Sequence, residues 1–130
     1  MSAPIFHMIV GAPTPVAPFS HAVESDGWVF VTGQMPNDPA RESAPLPDDI
    51  EGQTRAVFAN LTTVLKGLGL DLSHVLVVRC FLTRFEEEYA RFNQVYEGYF
   101  PAGRRPARTC IGVTALALGA RVEVDFLARR

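Results

Sequence analysis

Arg104–Phe126 reads RRPARTCIGVTALALGARVEVDF, and the placing of its two β-like runs decides the fold. It opens on a basic, proline-bounded turn, Arg104-Arg105-Pro106-Ala107. Strand character follows from Arg108 to Thr114. A two-residue period puts Arg108, Cys110, Gly112 and Thr114 on one face, with Thr109, Ile111, Val113 and Ala115 on the other. Arg121 to Ala128 alternates again, Val122, Val124, Phe126 and Ala128 against Glu123, Asp125 and Leu127. Two strands with a buried pattern therefore carry an arginine at one entrance and an acidic pair further along. A charge sits in a core strand only when something pairs with it. Arg108 is then either the structural partner of Glu123 or Asp125, or a receptor for an anionic ligand. With Ala117–Ala120 as a turn, the two runs form a hairpin in which Glu123 pairs near Val113 or Thr114. That register puts Arg108 and Glu123 roughly 17–20 Å apart along the strands. A small ligand touching both would have to take them from different subunits.

Upstream, His74–Thr83 reads as a strand that is apolar on both faces except at Arg79. Thr83 with Glu86 has the spacing of a capping box and opens a helix. Phe85, Tyr89, Phe92, Tyr96 and Tyr99 form its buried stripe, with Asn93 on the edge beside Tyr89 and Tyr96. Glu86-Glu87-Glu88 suits a helix N-terminus rather than a metal site. An earlier helix is marked by Ile50, Thr54, Val57, Phe58, Leu61, Val64, Leu65 and Leu68 at spacings of three and four. Asp48 with Glu51 is its expected cap, and Gly67 and Gly69 end it. Asn37–Asp49, with prolines at 39, 45 and 47, is a long surface loop of the kind that carries function. Trp28–Thr32 reads as a strand buried on both faces, closed by Gly33, where another group can approach the backbone. Asp26-Gly27 is a hairpin turn leading back to a strand over His21–Glu24. Gly11–Pro18, with three prolines, is an extended connector, and Ile5–Val10 a first strand.

The order is three strands, a helix, a strand, a helix and two strands. It predicts a single α+β domain over residues 1–130, a mixed sheet with two helices on one face. Two helices cover only one side of such a sheet. Strands apolar on both faces then require a partner chain on the other, so self-association is expected.

At 48% apolar and 20% charged, the chain has enough core for one domain without staples. The net charge of −2 and scattered basic residues argue against nucleic acid. No apolar run reaches the length of a membrane span, and no basic-plus-apolar leader opens the chain, so a cytoplasmic protein is expected. Cys80 and Cys110 are read as reduced. No CxxC or HxxxH spacing suggests a metal. His7, His21 and His74 lack the spacing of ligands or bases and are expected at the surface or at an edge.

Ala17-Pro18-Phe19, Val31-Thr32-Gly33-Gln34, Asn93-Gln94-Val95-Tyr96, Pro106-Ala107-Arg108-Thr109-Cys110 and Val122-Glu123-Val124 occur in the order found in the RidA/YjgF reactive-intermediate deaminase family. No one piece is specific; the ordered set is, and it covers nearly the whole chain. The resemblance implies a chorismate-mutase-like fold and a homotrimer with a central barrel, its clefts lying between subunits. It implies cofactor-free hydrolysis of enamines and imines such as 2-aminoacrylate to a 2-keto acid and ammonia, as in a 2-iminobutanoate/2-iminopropanoate deaminase. By the same resemblance Arg108 grips the substrate carboxylate and Glu123 orients the attacking water. Gly33 and Cys110 present backbone groups to the ligand, and Asn93 is the site asparagine. Phe19 and Thr32 stand where the family often has Tyr and Ser, which removes a phenol hydroxyl. The competing reading is a non-catalytic binder of 2-keto acids in the same cleft; an RNA-cleaving role is opposed by the charge balance.

The chemistry fits the residues. A guanidinium offers a planar fork to a carboxylate. An imine is already a good electrophile, and water adds to it with a carboxylate as general base. A carboxylate kept near Arg108 would stay ionised for that task. Cys110, with no histidine near it in sequence, reads as a small hydrophobe rather than a nucleophile. Arg104 and Arg105 are either a solvated turn or a steering pair for anions.

Overall fold

A computed structural model describes residues 3–130. Six strands form one sheet: β1 (Ile5–His7), β2 (Ala22–Ser25), β3 (Trp28–Gln34), β4 (Val75–Leu82), β5 (Ala107–Gly112) and β6 (Val122–Arg129). Helices α1 (Ile50–Gly67) and α2 (Phe85–Tyr96) pack on one face. The strand order is β1-β2-β3-β6-β4-β5, with β4 and β5 parallel and every other neighbouring pair antiparallel. The mixed α+β layer expected from the sequence is present. No helix among the described residues is long and apolar enough to cross a membrane.

The hairpin expected between the last two strands does not form. β4 lies between β5 and β6, pairing Val78 with Arg108 on one side and with Phe126 on the other. The segment 113–121 therefore crosses over β4 instead of turning back on β5. β6 is apolar at every second position and gains more as a central strand, bonded to both β3 and β4, than as half of an isolated ribbon.

Helix α1 buries the stripe its spacing marks, Ile50 to Leu68. Its cap is Asp49 rather than Asp48: the Asp49 side chain accepts from the Gly52 N–H at 2.7 Å. Gly69, at φ +75°, supplies the left-handed residue after the last turn. The box expected at Thr83 and Glu86 is absent; Arg84 occupies the cap position and its side chain caps nothing. Asp26 and Gly27, both at positive φ, close the β2–β3 hairpin as expected.

Phe58 is the hub of the core. Its ring stacks on Tyr99 at 4.1 Å between centroids and meets Tyr96, Phe100 and Phe126 edge-on. Val78, Cys80, Leu82, Val122, Val124 and Phe126 line the sheet beneath the helices. On the other face Trp28 and Phe30 stay 40% and 53% exposed, with the Arg129 guanidinium 4.5 Å from the centre of the Trp28 ring; β3 is thus buried on one face only. The first strand is also shorter than expected, because His21 holds the chain that follows it. His21 is buried, accepts from the Ile9 N–H at 2.8 Å and bonds the Pro13 carbonyl at 2.7 Å. It is not the edge residue its spacing suggested.

Candidate functional site

Register decides which face each candidate occupies. Arg108 lies across from Val78, which lies across from Phe126, so all three project under the helices. Glu123, three residues before Phe126, projects from the opposite face. Two strand spacings and three residues put their Cα positions about 14 Å apart, with the sheet between their side chains.

The first group forms where β5 meets α2. Tyr89, Asn93 and Tyr96, at spacings of four and three, share one face of α2 and receive the arginine. Arg108 Nη1 donates to Asn93 Oδ1 at 2.7 Å and Nη2 to the Tyr89 hydroxyl at 3.1 Å. The guanidinium lies 4.7 Å from the centre of the Tyr96 ring. The charge is thus held by neutral oxygens and a π face. Among the described residues no carboxylate pairs with it, which sets aside Glu123 and Asp125 as its structural partners. A cavity of about 260 Å³ opens at this point, lined by Asn93, Tyr96, Glu97, Arg105, Pro106 and Arg108. Of the two arginines of the basic turn, Arg105 lines this cavity and Arg104 does not. The Tyr96 hydroxyl is buried without a bonding partner among the described residues, and burial pushes it up to about 12.

The second group lies on the open face. A Cβ at Gly33 would collide with Glu123 Oε2, so only glycine lets that carboxylate lie against β3. The β3–β6 register shifts between Val31 and Gln34, which brings Thr32 and Gly33 up to it. Thr32 Oγ1 donates to the Ser20 carbonyl at 2.6 Å, tying the chain beside Phe19 to the same spot. The Thr32 hydroxyl is therefore already engaged within the chain. Burial, and then the Asp125 charge, hold Glu123 above the usual carboxylate range. The sequence argument placed an arginine near this carboxylate to keep it ionised. Instead Arg79, the nearby cation on the face, is spent on Asp125, with Nε–Oδ1 at 2.9 Å and Nη2–Oδ2 at 2.7 Å.

The seven residues singled out from the sequence thus fall into two sets. Arg108 and Cys110 stand under α2, and Asn93 stands on it. Glu123, Gly33, Thr32 and the Phe19 segment stand across the sheet. Sequence reasoning missed Tyr89 as a bonding partner of Arg108, although its spacing of four from Asn93 marks one helix face. It also missed the Arg79–Asp125 pair and the buried Glu88, which Arg121 grips through Nε and Nη2. No local pattern in the sequence identifies those pairs, because their partners are 46 and 33 residues apart.

A family model described as Endoribonuclease L-PSP matches residues 10–130. Protein DfrA of Myxococcus xanthus is 41% identical over 119 residues, 90% of this chain and 88% of that one. Among solved structures, the Rid family protein YyfA from Yersinia pestis superposes with a TM-score of 0.91 at 30% identity, covering 98% of this chain and all of that one. Escherichia coli TdcF, solved with bound serine, has a TM-score of 0.85 at 26% identity, covering 95% and 98%. With its sheet, its helices and nearly its whole length matched, the chain belongs to the Rid/YjgF family.

Proposed function

We propose that this chain hydrolyses reactive enamines and imines of small amino acids, 2-aminoacrylate and its imine tautomer among them, to 2-keto acids and ammonia. The observation that carries the reading is Arg108: a half-buried guanidinium with neutral partners and an adjoining cavity. Such a group is poised for a carboxylate from outside the chain. Family membership supports the same class, and TdcF, a relative, was solved with serine, a small carboxylate-bearing molecule.

The catalytic unit is a homotrimer. The open face, with Trp28, Phe30 and Ile111 exposed at 40%, 53% and 46%, needs a cover, and identical sheets supply one. Arg108 of one subunit and Glu123 of a neighbour complete a cleft that no single chain makes. Arg108 grips the carboxylate and Asn93 holds the guanidinium in plane. Water adds to the imine carbon as Glu123 takes its proton. The proton then goes to nitrogen, ammonia leaves and the keto acid remains. The description Endoribonuclease L-PSP names another activity, which a net charge of −2 and arginines engaged with Asp125, Glu88 and Glu24 disfavour here.

The test is a panel of imines generated in place from several amino acids, with keto acid and ammonia followed together. Accelerated release from at least one small aliphatic imine is expected. Saturable keto-acid binding with no acceleration across the panel would make the chain a binder instead.

A further inference from the structure

Cys80 and Cys110 are register partners on the parallel strands β4 and β5, and both are free thiols. Register partners project to the same face, and neighbouring strands run about 4.8 Å apart. That Cα separation lies inside the range of about 4.4–6.8 Å that a disulfide spans. The two thiols are not equivalent. Cys80 is fully buried in the core, on an inner strand. Cys110 is half-buried on β5, the edge strand of the sheet, two residues from Arg108 on the same face.

Their acidities diverge accordingly. The Cys110 thiol lies below its ordinary value, chiefly through the neighbouring Cys80 thiol, with the Arg108 charge adding and burial opposing. Cys80 is pushed up by the same neighbour and by its burial. A half-buried, acidified thiol on an edge strand beside a sheltered one is the arrangement of a peroxide-reactive cysteine and its resolving partner.

We propose that Cys110 and Cys80 are a peroxide-sensitive modification site beside the anion receptor, Cys110 being oxidised first and Cys80 resolving it to an intrachain disulfide. The Cys110 sulfur attacks one oxygen of hydrogen peroxide and the O–O bond breaks. Sulfur is oxidised to the sulfenic acid, and the other oxygen leaves as hydroxide and is protonated to water. The Cys80 sulfur then displaces hydroxide from Cys110, and the Cys80 proton leaves with it as a second water. In sum, two thiols and one peroxide give one disulfide and two waters.

The experiment oxidises the full chain with hydrogen peroxide and maps thiols by intact mass and non-reducing peptide mass. This readout is independent of any imine turnover. Expected are loss of two hydrogens in mass, loss of both titratable thiols, one peptide pair linked within a chain, and full reversal by dithiothreitol. Cys80→Ala should stop at a Cys110 adduct of one oxygen, trapped by dimedone. Cys110→Ser should leave Cys80 reduced at the same dose. Three results would overturn the proposal. The first is survival of both thiols at a dose that consumes free N-acetylcysteine in the same tube. The second is equal oxidation of Cys80 in Cys110→Ser. The third is linked peptides that come from different chains. The wild-type mapping decides the matter even where a core variant fails to fold.

Discussion

Arg79 and Arg108 stand on neighbouring strands, one on each face of the sheet, and they are held in opposite ways. Arg79 points from the open face and closes a bidentate pair with Asp125. Arg108 points under α2 and meets an amide oxygen, a phenol and an aromatic ring. An internal carboxylate neutralises the first charge. The second is oriented but not neutralised, although it is the more sheltered of the two. Desolvating a charge without neutralising it costs free energy that an incoming anion recovers. The two faces differ in the same sense for apolar residues. Phe58 is enclosed by its own chain, whereas Phe30 stands half exposed on the open face.

The largest effects should break that second contrast. Phe58→Ala removes the hub of the helix-side core and should cost about 3–5 kcal/mol, read as a fall in denaturant midpoint at any protein concentration. Phe30→Ala should leave the folded chain nearly as stable as before yet weaken assembly, so it dissociates at protein concentrations where the wild type stays assembled. Sedimentation showing the wild type to be a stable monomer at micromolar concentration would remove the reason for the difference.

Arg108→Ala should cost roughly 2–5 kcal/mol of carboxylate binding, a fall in kcat/KM of about thirty-fold to several thousand-fold. Arg108→Lys keeps the charge without the fork and should recover only part. Arg79→Ala, as the control on the other face, should change kcat/KM far less. Near-wild-type turnover in Arg108→Ala would refute the receptor role.

A smaller effect tests whether the two groups meet between subunits. Homotrimers of Arg108→Ala and of Glu123→Ala should each be inactive. Refolded together, they should regain a minority of wild-type activity, because some interfaces join an intact Arg108 to an intact Glu123. No recovery, with mixing confirmed by mass, would place both residues in one chain's half of the cleft.

Why the sequence disclosed some of this and hid the rest follows from the range of each signal. The α1 stripe repeats every three or four residues, so Ile50–Leu68 announced itself, and Asp26-Gly27 fixed the hairpin it closes. The neighbours of β5 are set by a parallel pairing with β4 across α2, which no local pattern encodes, and so the expected hairpin was the wrong partner. Arg108 and Glu123 were expected to lie too far apart along one hairpin to act on a small substrate within one chain. The assumed reason was a register offset, whereas the two lie on opposite faces of the sheet. The ridge of Tyr89, Asn93 and Tyr96 was within reach of spacing alone, whereas the arginine it receives arrives through the β4–β5 pairing.

The finest effect concerns the acidity of Glu123. Burial comes first and Asp125 second in raising it above the usual carboxylate range. A general base works as the carboxylate, so turnover should fall as pH drops through that raised value. Asp125→Asn removes the like charge and also frees Arg79, the diagonal neighbour of Glu123 across β4 and β6. Both changes favour the ionised form, so the acid limb of kcat/KM should move to lower pH by a fraction of a unit, roughly. The stability sign runs the other way from that of a salt-bridged acid. The folded chain holds the Glu123 proton more tightly than the unfolded chain, so ionisation costs the fold stability as pH rises through the raised value. Glu123→Gln should therefore raise the melting temperature of the chain slightly at neutral pH and leave it unchanged well below the ordinary carboxylate range. A Glu123→Gln chain that is less stable at neutral pH would mean that the ionised group has a cationic partner, such as Arg108 of a neighbouring subunit. Repeating the measurement with the Phe30→Ala background, where assembly is weakened, separates that interface pairing from the property of the single chain.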